Sequence, residues 1–141
     1  MINNVLVTVR GRHSAGNEEG EVIEIVVPGK YNYRDGFHYV LYEETADDTG
    51  EITKNLIKFS EERMEIRKKG YLNSFMLFEP GKKTESDYQT PFGSIETGIT
   101  TWKLDLREKE NDIDVFVKYS MALDADFIQD CRVEIHIAAR K

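Results

Sequence analysis

The residues best suited to chemistry in this sequence form one polar set, which comprises Glu44, Arg67, Tyr88 and Thr90. An arginine beside a tyrosine can hold a carboxylate through charge-assisted hydrogen bonds. If the set converges inside a barrel or at its rim, it would bind a small apolar acid, in a cavity lined by Phe75, Leu77 and Trp102. The alternative interpretation is structural. Arg67 would then pair with Glu44 as an internal ion pair, because an isolated buried charge is costly, and Tyr88 would close a corner of the fold.

Enzymatic chemistry has no support in the sequence. The histidines, His13, His38 and His136, are dispersed over a predicted loop and two predicted strands. The chain contains no metalloprotease helix motif, nucleophile elbow, paired-cysteine motif or glycine-rich phosphate loop. We therefore predict no catalytic residue, no bound metal and no cofactor. Cys131 begins an alternating strand and is expected to be a small buried hydrophobic residue.

The residues of the polar set must be positioned by β-strands, and the stretch from Tyr88 to Leu106 is the most informative part of the chain. Pro91 fixes its own backbone and favours an extended Thr90, so a strand should end there and a new one should begin at Gly93. The apolar residues of the new strand then change phase, since Ile99 and Leu104 differ by an odd number of positions. A change of phase in a period-two pattern requires an inserted residue. We therefore predict a β-bulge near Thr100 and Thr101.

The rest of the chain alternates in the same way. The clearest strands run from Ile113 to Leu123 and from Cys131 to Ile137, and Asp35-Gly36 is a two-residue hairpin signal. Residues 13–20 and 124–130 are predicted to be loops, and Pro28-Gly29 is predicted to bend the chain. A helix over residues 60–69 is the competing interpretation for that segment, but its apolar residues, Met64 and Ile66, are two positions apart rather than three or four.

About ten strands joined by short turns predict an all-β, antiparallel, mostly up-and-down barrel of about 8–10 strands. Consecutive strands with short connections pair antiparallel, and a closed barrel leaves no exposed sheet edge. A β-sandwich is the alternative. The 141 residues are expected to form a single domain over positions 1–141, since a chain of this length can bury a sizeable core.

Charge and composition restrict the partners. The formal net charge of −7 argues against a general nucleic-acid binder, whose affinity comes largely from basic residues. Two small basic clusters, at residues 67–69 and 82–83, leave a phosphate or RNA contact as the least favoured idea. A single cysteine, no long apolar run and no secretory signal lead us to expect a cytoplasmic protein without membrane contact.

The segment YQTPFGSIETGITTWKLDL, followed by DIDVFVKYSMALD and RVEIHI, resembles the YwiB-like family of small bacterial calycin-type β-barrels, a domain of unknown function. The upstream segments YEE, IRKKG and FMLFEPGKK fit the same pattern. The most specific element of the resemblance is Tyr88 with the residues TPFG at 90–93. The resemblance implies a fold related to lipocalins and fatty-acid-binding proteins, and a cytoplasmic location. It transfers no catalytic residue, and the glycine and tryptophan signature of true lipocalins is absent.

Two functional hypotheses follow. In the first, the barrel binds a small apolar or amphipathic ligand in its interior, which would then be lined by phenylalanine, methionine, leucine and tyrosine. In the second, side chains fill the barrel, and the protein acts through its surface as an interaction protein, including as a homodimer. Strand number alone does not separate them, because an interior of this size can hold either side chains or one small ligand.

Overall fold

The fold consists of ten β-strands in a computed structural model that describes residues 4–15, 18–70, 73–90, 93–124 and 127–140. Over these residues the strands are β1 (Asn4–Ala15), β2 (Glu18–Arg34), β3 (Phe37–Thr45), β4 (Ile52–Phe59), β5 (Met64–Gly70), β6 (Asn73–Phe78), β7 (Lys83–Thr90), β8 (Gly93–Glu108), β9 (Asp112–Asp124) and β10 (Phe127–Ala139). No helix in the described part of the chain is long and apolar enough to cross a membrane.

The strands form a closed antiparallel barrel in which each strand pairs with its neighbour in sequence and β1 pairs with β10. The prediction of an all-β, up-and-down barrel is confirmed, and the sandwich alternative is wrong. Turns 35–36, 60–63, 79–82 and 109–111 meet at one end of the barrel, called the lower end here. Turn 46–51 lies at the opposite, upper end.

Alternating apolar residues create the barrel core because successive side chains of a strand point to opposite faces. The lower half of the interior is packed with fully buried side chains from strands all around the barrel: Val5, Val40, Phe59, Met64, Phe78, Ile113 and Ile137. The rings of Phe78 and Tyr119 meet edge to face, with centroids 4.7 Å apart. Burial of these side chains is the main source of stability for the fold.

The predicted β-bulge is confirmed in β8. Thr101 pairs with Tyr119 and Lys103 pairs with Lys118, so Trp102 is the extra residue. The bulge restores the phase of the strand, because Thr101 and Leu104 are both buried whereas Trp102 is 62% exposed.

Local predictions from turn chemistry and periodicity have mixed outcomes. The hairpin turn at Asp35-Gly36 is confirmed, and both residues have positive φ, at 54° and 83°. Residues 64–70 form strand β5, so the competing helix is wrong. The predicted loops at 13–20 and 124–130 are too long, because the strands extend to Ala15 and Asp124 and resume at Glu18 and Phe127. Strand ladders with β1, β9 and β10 hold these polar residues in extended structure despite their composition. Of the predicted corner after Thr90, Pro91 and Phe92 lie outside the described residues.

Candidate functional site

The predicted ion pair between Arg67 and Glu44 is wrong, and Lys68 takes the place of the arginine. Lys68 Nζ lies 3.1 Å from Glu44 Oε1 on the inner side of the wall. Arg67 is exposed, because the strand register places it opposite Leu56 on the outer face and places Lys68 opposite buried Asn55. Adjacent residues of a strand face opposite sides, so the side chain of Arg67 lies on the surface, and that of the next residue, Lys68, points to the interior.

The predicted apolar lining also lies on the outer face. Phe75 and Leu77 alternate with the inward residues Ser74 and Phe78, and the guanidinium of Arg67 stacks over the Phe75 ring at 4.8 Å from its centroid. The Trp102 indole belongs to the bulge, where its Nε1 donates a hydrogen bond to Ser120 Oγ at 2.8 Å. None of these three side chains can line an interior cavity.

The remaining two predicted residues are placed by their backbone only. Tyr88 pairs with Ser74 of β6, and Thr90 pairs with Gly93 as the last pair of the β7–β8 hairpin. The side chains of Tyr88 and Thr90 lie outside the described part of the structure. Ser74 pairs with Lys68 on its other side, so Lys68, Ser74 and Tyr88 form one row across three strands. Arg67 does not belong to this row.

The interior of the barrel is polar on one wall. Six hydroxyl or amide side chains on β4 and β6 to β8 are buried there: Thr53, Asn55, Ser74, Ser86, Thr97 and Thr101. Three of their polar atoms, Asn55 Oδ1, Ser86 Oγ and Thr101 Oγ1, have no hydrogen-bond partner among the described residues. Buried polar atoms normally have a partner, so this wall can accept hydrogen bonds from a small polar group or from water.

At the lower end, a buried histidine forms a second polar feature. His38 is 3% exposed, its ring stacks on Phe59 with centroids 4.8 Å apart, and Nδ1 lies 2.6 Å from the Tyr31 hydroxyl. Burial lowers the pKa of His38, and burial, assisted by the charge of Glu108, raises the pKa of Tyr31 to about 12. The Tyr31 hydroxyl therefore donates a hydrogen bond to Nδ1 of the neutral imidazole, and Nε2 faces the Glu108 carboxylate at 3.9 Å.

Sequence reasoning treated His38 as an isolated histidine, although a usable signal was present. The Asp35-Gly36 turn fixes the register of its hairpin, and that register sets Tyr33 directly opposite His38 and Tyr31 two pairs further along, on the same strand. An aromatic cluster around His38 follows from this pairing. Its closure by Phe59 and Glu108 depends on strands that are distant in sequence.

The most unusual feature of the wall is a free edge on β2. The ladder between β2 and β3 covers only the residues from Gly29 to Arg34, paired with those from Tyr42 back to Phe37. From Glu18 to Pro28, β2 pairs with β1 on one side, and no described strand pairs with it on the other. Pro28 has no N–H to donate, so it marks the position where the second ladder ends. Strand β2 continues through Pro28 and Gly29, so a bend there does not interrupt the strand.

Side chains along this edge are unusually exposed for apolar residues. Val22, Ile23 and Val26 are 41%, 60% and 53% exposed. Ile23 alternates with Ile25 and Val27, which contact the core, whereas Val22, Glu24 and Val26 lie on the outer face. Just below the free edge is an outer groove of about 600 Å³, whose lining includes Pro28, Leu41, Lys54 and Arg140. Backbone groups and apolar side chains are thus both available along one strand.

No group of three or more histidine, cysteine or acidic side chains in the described ranges could hold a metal ion. The described polar features include the interior polar wall, the His38 cluster, the surroundings of the β2 edge, and an outer-face pair in which His136 Nδ1 lies 2.6 Å from Asp114 Oδ1. None of them combines a nucleophile with a positioned base.

Comparison with known proteins agrees with this fold. No curated protein matches the chain. The crystal structure of the YwiB protein from Bacillus subtilis superposes with a TM-score of 0.85 at 21% sequence identity, over 99% of this chain and 93% of that one. This likeness shows that the two proteins share a fold. The profile of the family described as "Domain of unknown function (DUF1934)" matches residues 7–135, so the resemblance found in the sequence is confirmed and the chain belongs to that family.

Proposed function

We propose that this barrel is a binding module that takes an extended segment of another protein as an additional strand along β2. The observation that supports it is the free edge of β2 from Glu18 to Pro28. The rest of β2 is paired with β3 as part of a closed barrel. A strand edge offers a row of backbone donors and acceptors to an extended peptide.

The edge suits strand addition because apolar side chains next to it are exposed on both faces of the sheet. Ile23 on the inner face and Val22 and Val26 on the outer face are all largely uncovered. An added strand would pack its alternate side chains against these residues, and cross-strand pairs of this kind stabilise a sheet. Backbone hydrogen bonds would supply affinity, and the side-chain contacts would supply selectivity.

Peptides of about nine residues test this proposal directly, because strand addition needs only a short extended segment. The panel carries valine at alternate positions, with threonine, lysine or glutamate between them. Binding is followed by amide hydrogen exchange, and the expected result is slower exchange of the amides of residues 22–27 that are not bonded to β1.

Methylated peptides provide the matched control. N-methylation of the peptide amides on the side that faces β2 should abolish binding, whereas methylation of the opposite set should leave it largely intact, because only the first set can bond to the edge. If no member of the panel protects residues 22–27, or if both methylation patterns behave alike, the proposal is wrong.

A second candidate function is the binding of a small amphipathic ligand inside the barrel. It is favoured by the three buried polar atoms without a described partner, on Asn55, Ser86 and Thr101. Strands β2, β9 and β10 contribute Ile25, Met121 and Val133 to the interior, and these side chains are apolar and only partly buried. A ligand with one polar group and one apolar face would suit the two walls. Native mass spectrometry of the purified protein tests this candidate, and a bare chain mass from every preparation would contradict it.

A further inference from the structure

We infer that the segment bound at the β2 edge is basic on one face and apolar on the other. This inference rests on the proposed function, because it specifies which extended peptide the edge selects. The charges that border the gap between β2 and β3 support it.

One border of the gap is the end of β3 and the turn that follows it. If the register of Gly29 with Tyr42 is continued, Glu43 lies opposite Pro28 and Thr45 lies opposite Val26. Turn 46–51 therefore borders the upper part of the gap. Its conformation is held by backbone hydrogen bonds between Ala46 and Gly50 and between Ala46 and Glu51, at 2.8 and 2.9 Å.

This border is acidic. Asp47, Asp48 and Glu51 are exposed, and within the described ranges neither they nor Glu43 form an ion pair. The other border is β2 itself, which contains Glu18, Glu19, Glu21 and Glu24 and no basic residue above Pro28. Glu24, whose side chain belongs to the described part of the structure, forms an ion pair with Arg10 of β1 at 3.0 Å. The unpaired carboxylates of Glu43, Asp47, Asp48 and Glu51 attract a cationic segment and repel an anionic one.

The pattern of β2 decides how the charges of the partner must be arranged. On the inner face, Ile23, Ile25 and Val27 form an uninterrupted apolar row. On the outer face, Glu24 separates Val22 from Val26, next to the acidic turn. An added strand alternates its side chains in the same way, so apolar residues suit its inner face and lysine or arginine suits its outer face.

A second copy of this chain is the poorer occupant. Its β2 edge would bring another set of glutamates towards the same aspartates, and like charges placed across an interface are repulsive. Arg10 and Arg12 of β1 are separated from the gap by β2 itself, and Lys30, Lys54 and Arg140 line the groove at Pro28. The lower end of the edge therefore has no preference for a cation.

The peptide panel already described measures the charge preference. The peptide that alternates valine and lysine should bind at least about tenfold more tightly than the one that alternates valine and glutamate, with the threonine peptide between them. Raising the salt concentration should weaken the lysine peptide and reduce the difference, because exposed charges are screened.

A pair of neutralising variants locates the effect. Asp47→Asn with Asp48→Asn should weaken the lysine peptide several-fold and leave the threonine peptide unchanged. The matched control is Glu61→Gln with Glu62→Gln, which removes two adjacent exposed acids in a turn at the opposite end of the barrel. This control should leave binding of the lysine peptide unchanged. Because all four positions are exposed turn residues, both variants should fold.

The outcomes separate this inference from the proposed function. If all three peptides protect residues 22–27 equally, the charge preference is wrong and strand addition stands. If the two double variants weaken the lysine peptide equally, the attraction is only that of net charge, and the inference is wrong. If sedimentation shows a dimer that protects the same amides, the occupant is a second copy and the inference is overturned. Failure of every peptide to protect the edge removes the proposed function itself.

Discussion

Replacement of Gly29 by alanine should destabilise this barrel, although alanine normally suits a strand better than glycine. A Cβ at position 29 would lie 2.8 Å from the carbonyl oxygen of Leu41 and 2.9 Å from Cγ2 of Val7. The oxygen belongs to the backbone of the neighbouring strand, so the ladder between β2 and β3 must move by roughly half an ångström. Overpacking of this kind costs about 1–3 kcal/mol, and the smaller backbone entropy of alanine offsets about 0.5–1 kcal/mol of it. The expected net loss is about 1–2 kcal/mol.

Gly11→Ala is the matched control, because nothing lies within 4 Å of the Cβ that it would add. It should leave the free energy of unfolding unchanged or raise it by up to about 1 kcal/mol. Both variants are measured by urea unfolding, where a slope of about 1–3 kcal/mol per molar urea places the midpoint of Gly29→Ala about 0.3–2 M lower. Equal midpoints for the two variants would refute the reasoning, since a new Cβ meets close neighbours, Leu41 and Val7, at position 29 and none at position 11.

Three further predictions concern buried and bulged positions. Burial lowers the pKa of His38 from its usual 6.5, so the unfolded chain takes up a proton more readily than the folded one, and the free energy of unfolding should fall as the pH drops below 6.5. Urea unfolding at several pH values should show a shallower fall for His38→Gln than for the unaltered protein. Identical pH profiles would contradict this prediction. Cys131 is 1% exposed, so a thiol reagent should label it only as fast as the barrel unfolds, and immediate labelling in native buffer would be inconsistent with its burial. Deletion of Trp102 should preserve the fold, because it removes the extra residue of the bulge. Deletion of Asp105 should prevent folding, because it reverses the faces of all later residues of β8. Equal unfolding midpoints for the two deletion variants would show that the bulge is not the source of the change of phase.

Periodicity was enough to predict the strand order of this barrel and the bulge near Trp102. Both depend on local information: which residues alternate, and where the alternation loses phase. The Asp35-Gly36 turn was predictable for the same reason, because a two-residue turn with positive φ at both positions determines its own geometry. The predicted loop limits at 13–20 and 124–130 were wrong, because the hairpin ladders continue to the pairs Ala15–Glu18 and Asp124–Phe127, and β1 pairs with β10 as far as Ser14.

The candidate site was less predictable, since it depends on which face and which edge of each strand remain available. Whether Arg67 or Lys68 pairs with Glu44 is decided by the register of β5 against β4, and a change of one position exchanges inside for outside. Pro28 was visible in the sequence, but it could mark a bend as well as the end of a ladder. Only the pairing of β2 with β1 alone shows that it marks the latter.

The amino-acid sequence alone determined that this chain forms an antiparallel β-barrel, because side-chain alternation and turn residues act over a few neighbouring positions. The tertiary structure decided where the barrel is closed and where it is open. Strand β2 pairs with β3 only from Gly29 to Arg34, and the part of β2 from Glu18 to Pro28 pairs with β1 alone. Such a feature arises from the relative lengths and stagger of strands around the whole barrel, which no local pattern encodes.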